Sequence, residues 1–505
     1  MGFVGRDASA VGTRTFDLDT LEELSGGDLR GVAVSSDGAV RTGWMLGDVA
    51  LTDATASFSA LALADGSVLV GTSPEGKVFK ITGDKATIFA ETHALAVTAM
   101  VEGPGGVVYA ATMPEGKIFK LSQGKADVLA TRPDVSHIWA LAWDKSKSAL
   151  FAGVGPDGRV MRVTLDGKSA VYFHSDQSHI VSLAVADNGD VYAGASGKAR
   201  LYKITGPGRA TVVAELPGSE VKAVALAKNG VVYVISNEYT DPPPDAPKRP
   251  GAASRGVAAP TDTKHPKPGK GTLTRLDAQG RPEKMMHDDG FHYTALAIGG
   301  DGKPYVGTGA EGRVYTVDDG HVVSLVADTD EAQIGAIGFA KSGPFVASSD
   351  GAVFHRVVAQ GGADAIWTSK VFDAGLRARY GQLSWHATGA LEVATRTGNT
   401  STPDATWSGW SNGIAQPATI SSPPARFVQV RARWSRDPKA VLSEVMIPFV
   451  TDNVRPVVLN VDAEPKSGGT KGTKEGLQAS GGEPPKHDSV MKLSWKVDNA
   501  DQDQL

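Results

Sequence analysis

Ser59-Ala-Leu-Ala-Leu-Ala-Asp-Gly-Ser-Val-Leu-Val-Gly-Thr-Ser-Pro-Glu-Gly-Lys-Val-Phe-Lys-Ile81 decides the fold. It reads as an apolar strand, a turn, a Val/Leu strand, a Pro-Glu-Gly-Lys turn and a Val-Phe-Lys strand, and Thr98 to Leu121 repeats that order. A small residue anchors the first strand of each unit, at Ala60, Ala99, Ala140, Ser182, Ala223, Ala295 and Ala336. The intervals are 39, 41, 42, 41, 72 and 41 residues, so one period of about forty runs through the chain. Within a unit, apolar and polar residues alternate with period two, and Asp-Gly, Asn-Gly or Glu-Gly turns separate the runs. Four short strands per forty residues form a propeller blade; a helical repeat of that length would need a 3.6-residue period and few glycines. The expected fold is therefore all-β: a seven-bladed β-propeller with a C-terminal β-sandwich.

The boundaries follow from where the period starts and stops. Residues 1–58 are expected to supply one or more closing strands from Gly31–Thr52, because an unclosed propeller leaves a bare strand edge; an eighth blade there is the alternative. The blades occupy 59–372. The long interval holds residues 237–271, rich in Pro, Gly and Lys from Asp241-Pro-Pro-Pro to Pro268. Such a composition cannot bury enough to fold alone, so a disordered insertion between the second and third strands of blade 5 is expected. From 373 to 452 the period is lost but strand alternation persists in Leu391–Thr397, Phe427–Trp434 and Val441–Phe449, as in an antiparallel sandwich. Residues 453–505 read as a Gly/Lys/Pro-rich linker and a lone strand, Val490–Val497, that starts a truncated Ig-like module.

Composition excludes several chemistries. Fifty-one Lys and Arg stand against 56 Asp and Glu, a net charge of −5 without a basic block, which argues against a nucleic-acid partner. The absence of cysteine removes disulfides, thiolate metal sites and cysteine nucleophiles. No apolar run is long enough to span a bilayer. Gly71-Thr-Ser-Pro-Glu-Gly76-Lys77 nearly matches a P-loop, but Val78 replaces the Ser/Thr and the motif joins two strands instead of opening a helix. It is a hairpin turn.

Several segments carry a resemblance: the blade pattern Ala-Leu-Ala…Asp-Gly…Val-Gly-Thr…Glu-Gly-Lys, the junction Ser369-Lys-Val-Phe-Asp-Ala-Gly375, and the stretches Arg396-Thr-Gly-Asn-Thr400, Trp407-Ser-Gly-Trp410 and Ala425-Arg-Phe-Val-Gln-Val-Arg431. Over roughly Thr15 to Leu505 the chain resembles bacterial, myxobacterial-type NHL/WD40-like seven-bladed propeller proteins followed by a sandwich and Ig-like modules. The ending Trp495-Lys-Val-Asp-Asn-Ala-Asp looks like the start of such a module. The resemblance implies a periplasmic, cell-surface or secreted protein, and it assigns no activity.

The most suggestive polar set is a column, three residues before each anchor, where the chain enters the innermost strand: Ser57, Ala96, His137, His179, Glu220, His292 and Gln333. In a closed propeller these positions ring one mouth of the channel. His137, His179, Glu220, His292 and Gln333 form the candidate ligand ring, and three imidazoles with a carboxylate suit a divalent metal. The set is similar to the His/Gln metal cluster of some seven-bladed polysaccharide lyases. The competing reading is a repeat consensus that favours a polar residue at strand entry. Trp407 and Trp410, three apart in a Gly/Ser/Asn-rich segment, are candidates for stacking on sugar rings. Alternating acids at Asp498-Asn-Ala-Asp501-Gln-Asp503 lack the glycine and distal Glu of a calcium loop. The functional expectation is a binding scaffold that presents its loop-rich face to a protein or polysaccharide, without a cofactor. The alternative is a metal-dependent lyase or hydrolase acting at the channel mouth.

Overall fold

Strand alternation translates directly into packing between blades. In the strand Val68–Ser73, Leu69 points one way into a cluster with Val97, Val108 and Phe119 of the next blade, while Val70 points the other way toward Phe345 and Phe354 of the preceding one. Each side chain so buried contributes about 1.5–3 kcal/mol. Every blade is thereby glued to both neighbours. The computed structural model describes residues 12–239, 269–452, 457–465 and 491–498.

Seven four-stranded antiparallel units result. Their innermost strands are Ala56–Ala62, Ala96–Glu102, His137–Asp144, His179–Val185, Glu220–Leu226, Tyr293–Ile298 and Gln333–Ala340. Each touches the next, and Gln333–Ala340 touches Ala56–Ala62, which closes the ring. The seventh blade takes its outermost strand from the other end of the chain: Trp44–Ala50 pairs antiparallel with Val353–Gln360, from Val353↔Ala50 to Gln360↔Trp44. His355 pins this seam. Its Nδ1 lies 2.8 Å from Asp48 on the closing strand and its Nε2 lies 2.8 Å from Glu331.

The sandwich is also built from both ends. Arg14–Leu18 pairs with Val441–Thr451, which further pairs with Gln382–Thr388 and the end of Phe372–Tyr380. The facing sheet runs Asp28–Arg30, Ile366–Thr368, Ala425–Arg433, Glu392–Gly398. Between them lie the fully buried Trp367 and Trp434, whose indole N–H groups donate to the carbonyls of Leu24 (2.7 Å) and Ala440 (2.8 Å). The hairpin Val32–Ser35/Ala39–Thr42 bridges the two bodies, pairing with Val323–Asp328 of blade 6 and with Leu442 of the sandwich.

Four sequence-based boundaries shift. Blade 1 begins at Ala56 rather than 59. The strands Arg14–Leu18 and Asp28–Arg30, assigned above to the propeller's N-terminal segment, belong to the sandwich, and Ile366–Thr368 joins them there from before residue 373. At the blade 5 insertion, Asn237–Tyr239 and Gly269–Gly271 are paired strand (Asn237↔Gly271, Tyr239↔Gly269); the remainder of the expected disordered insertion, 240–268, lies outside the described residues. The strand Met491–Asp498 is not alone, since it pairs antiparallel with Val457–Pro465. Most of the linker expected between them lies outside the described residues, as do Asp501 and Asp503. No helix among the described residues is long and apolar enough to cross a membrane.

Candidate functional site at the channel mouth

Each innermost strand carries a β-bulge at the same place, for example between Ile138 and Ala140, Ile180 and Ser182, and Val221 and Ala223. The bulge fixes the phase of the polar column. In blade 1 it falls between Ser57 and Ser59, so the anchor equivalent to Ser182 is Ser59, not Ala60. The hydroxyls agree: Ser59 donates to the carbonyl of Val97 and Ser182 to that of Val221, each on the next blade. The ring position in blade 1 is therefore Ala56, and Ser57 is buried instead, donating to the Ser348 carbonyl. The ring reads Ala56, Ala96, His137, His179, Glu220, His292, Gln333, bland on blades 1 and 2 and polar from blade 3 onward.

The polar arc divides into two groups. In the first, the bulge puts Trp139 on the same side as His137, and their rings stack 5.0 Å apart. The Trp139 indole N–H donates to Nδ1 of His179 at 3.2 Å, and the two imidazoles stand 6.4 Å apart. Gly155 makes room for this contact, because a Cβ there would overlap the His179 ring. Burial, and then His137, lower the pKa of His179 against a smaller opposite pull from Glu220, so the ring is neutral at pH 7. With Nδ1 accepting, the proton of neutral His179 sits on Nε2. A metal at Nε2 would require Nδ1 to be the donor, which the indole N–H opposes.

In the second group, Glu220 accepts from the Tyr239 hydroxyl (2.6 Å) and from Asn237 Nδ2 (3.3 Å). Burial and then Glu220 hold the Tyr239 phenol well above its usual pKa, so it stays a donor. The buried Asn237 ties blade 5 to blade 6, donating to the Tyr293 carbonyl (2.8 Å) and accepting from the Tyr293 N–H (3.0 Å). His292 lies buried 5.3 Å from the Tyr239 ring, against Gly309, where a Cβ would overlap its Nε2. Burial and Lys222 lower its pKa, again against Glu220.

Gln333 starts its strand opposite Ser349, on the blade beyond His292. The structure thus brings His137 to His179 and Tyr239 to both Glu220 and His292, but the three imidazoles do not converge. Among the described residues no group of three His, Asp or Glu is placed to hold a metal ion. Trp139, Asn237, Tyr239 and Lys222 were not legible as site residues. Only the Trp139 position two residues after His137 carried a signal, and the bulge decides its meaning.

The tryptophan candidates separate. Trp407 is buried, packs on Gly398 and donates its indole N–H to Thr400 at 2.9 Å, so it presents no ring to solvent. Trp410 is partly exposed and lies against the guanidinium groups of Arg396 and Arg431.

Neither a protein-family model nor a curated protein matches the sequence. Among solved structures, a catalytically inactive virginiamycin B lyase from Staphylococcus aureus with quinupristin is similar at a TM-score of 0.50 and 12% identity, over 63% of this chain and 100% of that one. The WD40 β-propeller domain of Doa1 gives a TM-score of 0.47 at 10% identity, over 62% and 97%. YCF48 bound to D1 peptide gives 0.46 at 9%, over 62% and 97%. The first of these likenesses concerns fold alone, and it agrees with the β-propeller architecture that the chain's own strand order shows.

Proposed function

We propose that the chain is a non-catalytic binding scaffold whose channel mouth, on blades 3 to 6, receives a protein or polysaccharide partner outside the cytoplasm. One observation carries this reading. The polar residues of the mouth are committed to an arc of aromatic rings and hydrogen-bonding groups (His137, Trp139, His179, Tyr239, Glu220) rather than converging on a point. Such an arc suits an extended ligand that offers hydrogen bonds and flat surfaces, as a peptide or a sugar chain does. Extracytoplasmic placement is supported by the sequence resemblance only. The metal-dependent lyase or hydrolase reading through His137, His179 and His292 needs His179 to release its bond to Trp139.

The test is a peptide-array and glycan-array screen of the full chain against the Trp139→Ala/Glu220→Gln double variant. A ligand of the native chain that weakens at least tenfold in the variant, at unchanged melting temperature, supports the mouth as the binding surface. One stoichiometric transition metal that disappears in His179→Ala would overturn the scaffold reading in favour of the enzyme.

A further inference from the structure

Several cations of the propeller blades are neutralised locally. Lys77 pairs with Glu75 at 3.0 Å, Arg159 with Asp134 at 2.8 Å, and Arg200 with both Asp176 and Glu215. The outer face of the sandwich differs. Direct cross-strand pairs Arg396↔Gln429, Ala394↔Arg431 and Glu392↔Arg433 put three arginines on one face of two adjacent strands. Among the described residues no carboxylate lies within 4 Å of Arg396, Arg431 or Arg433, not even Glu392 across the ladder from Arg433. The Nε atoms of Arg431 and Arg433 are buried without a hydrogen-bond partner. Arg396 makes its two side-chain bonds to the neutral Gln429 Oε1. Burial, then Arg433 and Arg396, lower the pKa of Arg431 despite Glu392, the mark of a positive patch that lacks its anion.

Trp410 shapes this patch. Its ring lies 4.6 Å from the Arg396 guanidinium and 4.2 Å from that of Arg431. Stacking uses the flat face of a guanidinium and leaves its in-plane N–H fork for a carboxylate or sulfate. Beside it, the exposed Asn412 offers an amide to hydroxyl groups. Three cations on one strand pair are too few for the extended phosphate tracking of nucleic acid. A single acidic sugar unit, with one charge and a ring of hydroxyls, fits the size and the chemistry.

We propose that Arg431, Arg433 and Arg396, with Trp410, form a binding site for an acidic polysaccharide, the arginines taking the carboxylate or sulfate and Trp410 the sugar ring. This site lies on the sandwich and is independent of the channel mouth. Isothermal titration of the full chain with polygalacturonate, heparin and neutral dextran tests it, with an oligothymidylate as the competing polyanion. We expect one of the two acidic glycans to bind in a salt-dependent manner and dextran not to bind. Polygalacturonate alone would identify carboxylate recognition, and heparin alone sulfate. Affinity should fall at least tenfold in Arg431→Gln/Arg433→Gln and in Trp410→Leu, and stay unchanged in Lys85→Gln, which removes an exposed cation from the outer strand of blade 1. The arginine variant should melt no lower than the native chain, since it removes like charges without a partner. Failure of both acidic glycans to bind, undiminished binding by the double variant, or tighter binding of the oligothymidylate would each overturn the proposal.

Discussion

The propeller and the sandwich solve the same packing problem in opposite ways. In six of the seven blades all four strands are consecutive in sequence, so a blade forms from neighbouring hairpins and then glues to the next. The sandwich instead recruits Arg14–Leu18 to pair with residues 445–449, across nearly the whole described chain. Blade 7 adopts the sandwich's strategy by taking Trp44–Ala50 as its outer strand, and blade 6 adds the distant Val32–Ser35 beyond its own four strands. Local pairing repeats easily and tolerates variation. Distant pairing concentrates the consequences of any change in a few seams, and the N-terminal residues 14–50 serve all of them.

The strongest test of this contrast removes residues 12–50. That deletion strips two strands from the sandwich, the bridging hairpin and the outer strand of blade 7, so the remaining chain should lose its cooperative thermal transition in circular dichroism. A melt within a few degrees of the native one would show that the seams are dispensable. Next in size is Trp367→Ala, which empties a fully buried site and frees the Leu24 carbonyl. It should cost about 3–5 kcal/mol in urea unfolding. A cost near 1 kcal/mol would place the sandwich core elsewhere.

His355 sharpens the comparison at the closing strand. Burial pulls its pKa down, but the hydrogen bonds to Glu331 and Asp48 outweigh burial and hold it above the ordinary histidine value. Burial pushes Glu331 up, while its bond to His355 brings it below the ordinary glutamate value. The sign follows from linkage. A raised histidine contributes stability that is fully present below the unfolded value of about 6.5 and is lost as pH rises through the folded value. A lowered glutamate contributes stability present above about 4.3 and lost as pH falls. The clasp is therefore strongest between those values and weakens on the alkaline side. His355→Gln should cost about 1.5–3 kcal/mol at pH 6. The gap to the native chain should narrow by pH 9, and a constant gap would show that His355 acts through shape alone. The smallest effect is expected at the mouth: His179→Ala removes one partly buried bond and should cost about 1 kcal/mol or less. A loss above 3 kcal/mol would mean that the mouth, too, is a structural seam.

Legibility in the sequence follows the same division. The forty-residue period, the Asp-Gly and Glu-Gly turns and the alternation in Val68–Ser73 are local signals, and they carried the all-β propeller and the start of the innermost strands at His137, His179, Glu220 and Gln333. The anchor of blade 1 was misplaced by one residue, Ala60 for Ser59, because a bulge adds a residue without changing composition. Trp407 and Trp410 look alike in sequence, yet one is buried against Gly398 and the other lies on arginines.

By itself, then, the sequence determined that this protein is built of short antiparallel strands repeated in fours, which of their residues face neighbouring blades, and where polar groups enter the innermost strands. These follow from side-chain period and turn chemistry within some ten residues. Tertiary structure alone decided which strand closes blade 7, that Arg14–Leu18 belongs to the sandwich, that Trp139 takes the acceptor nitrogen of His179, and that three arginines share one face without an acid. Strand edges carry the same unsatisfied N–H and C=O groups whatever their side chains, so the partner of a distant strand is chosen by the packing of the whole core and not by any local pattern.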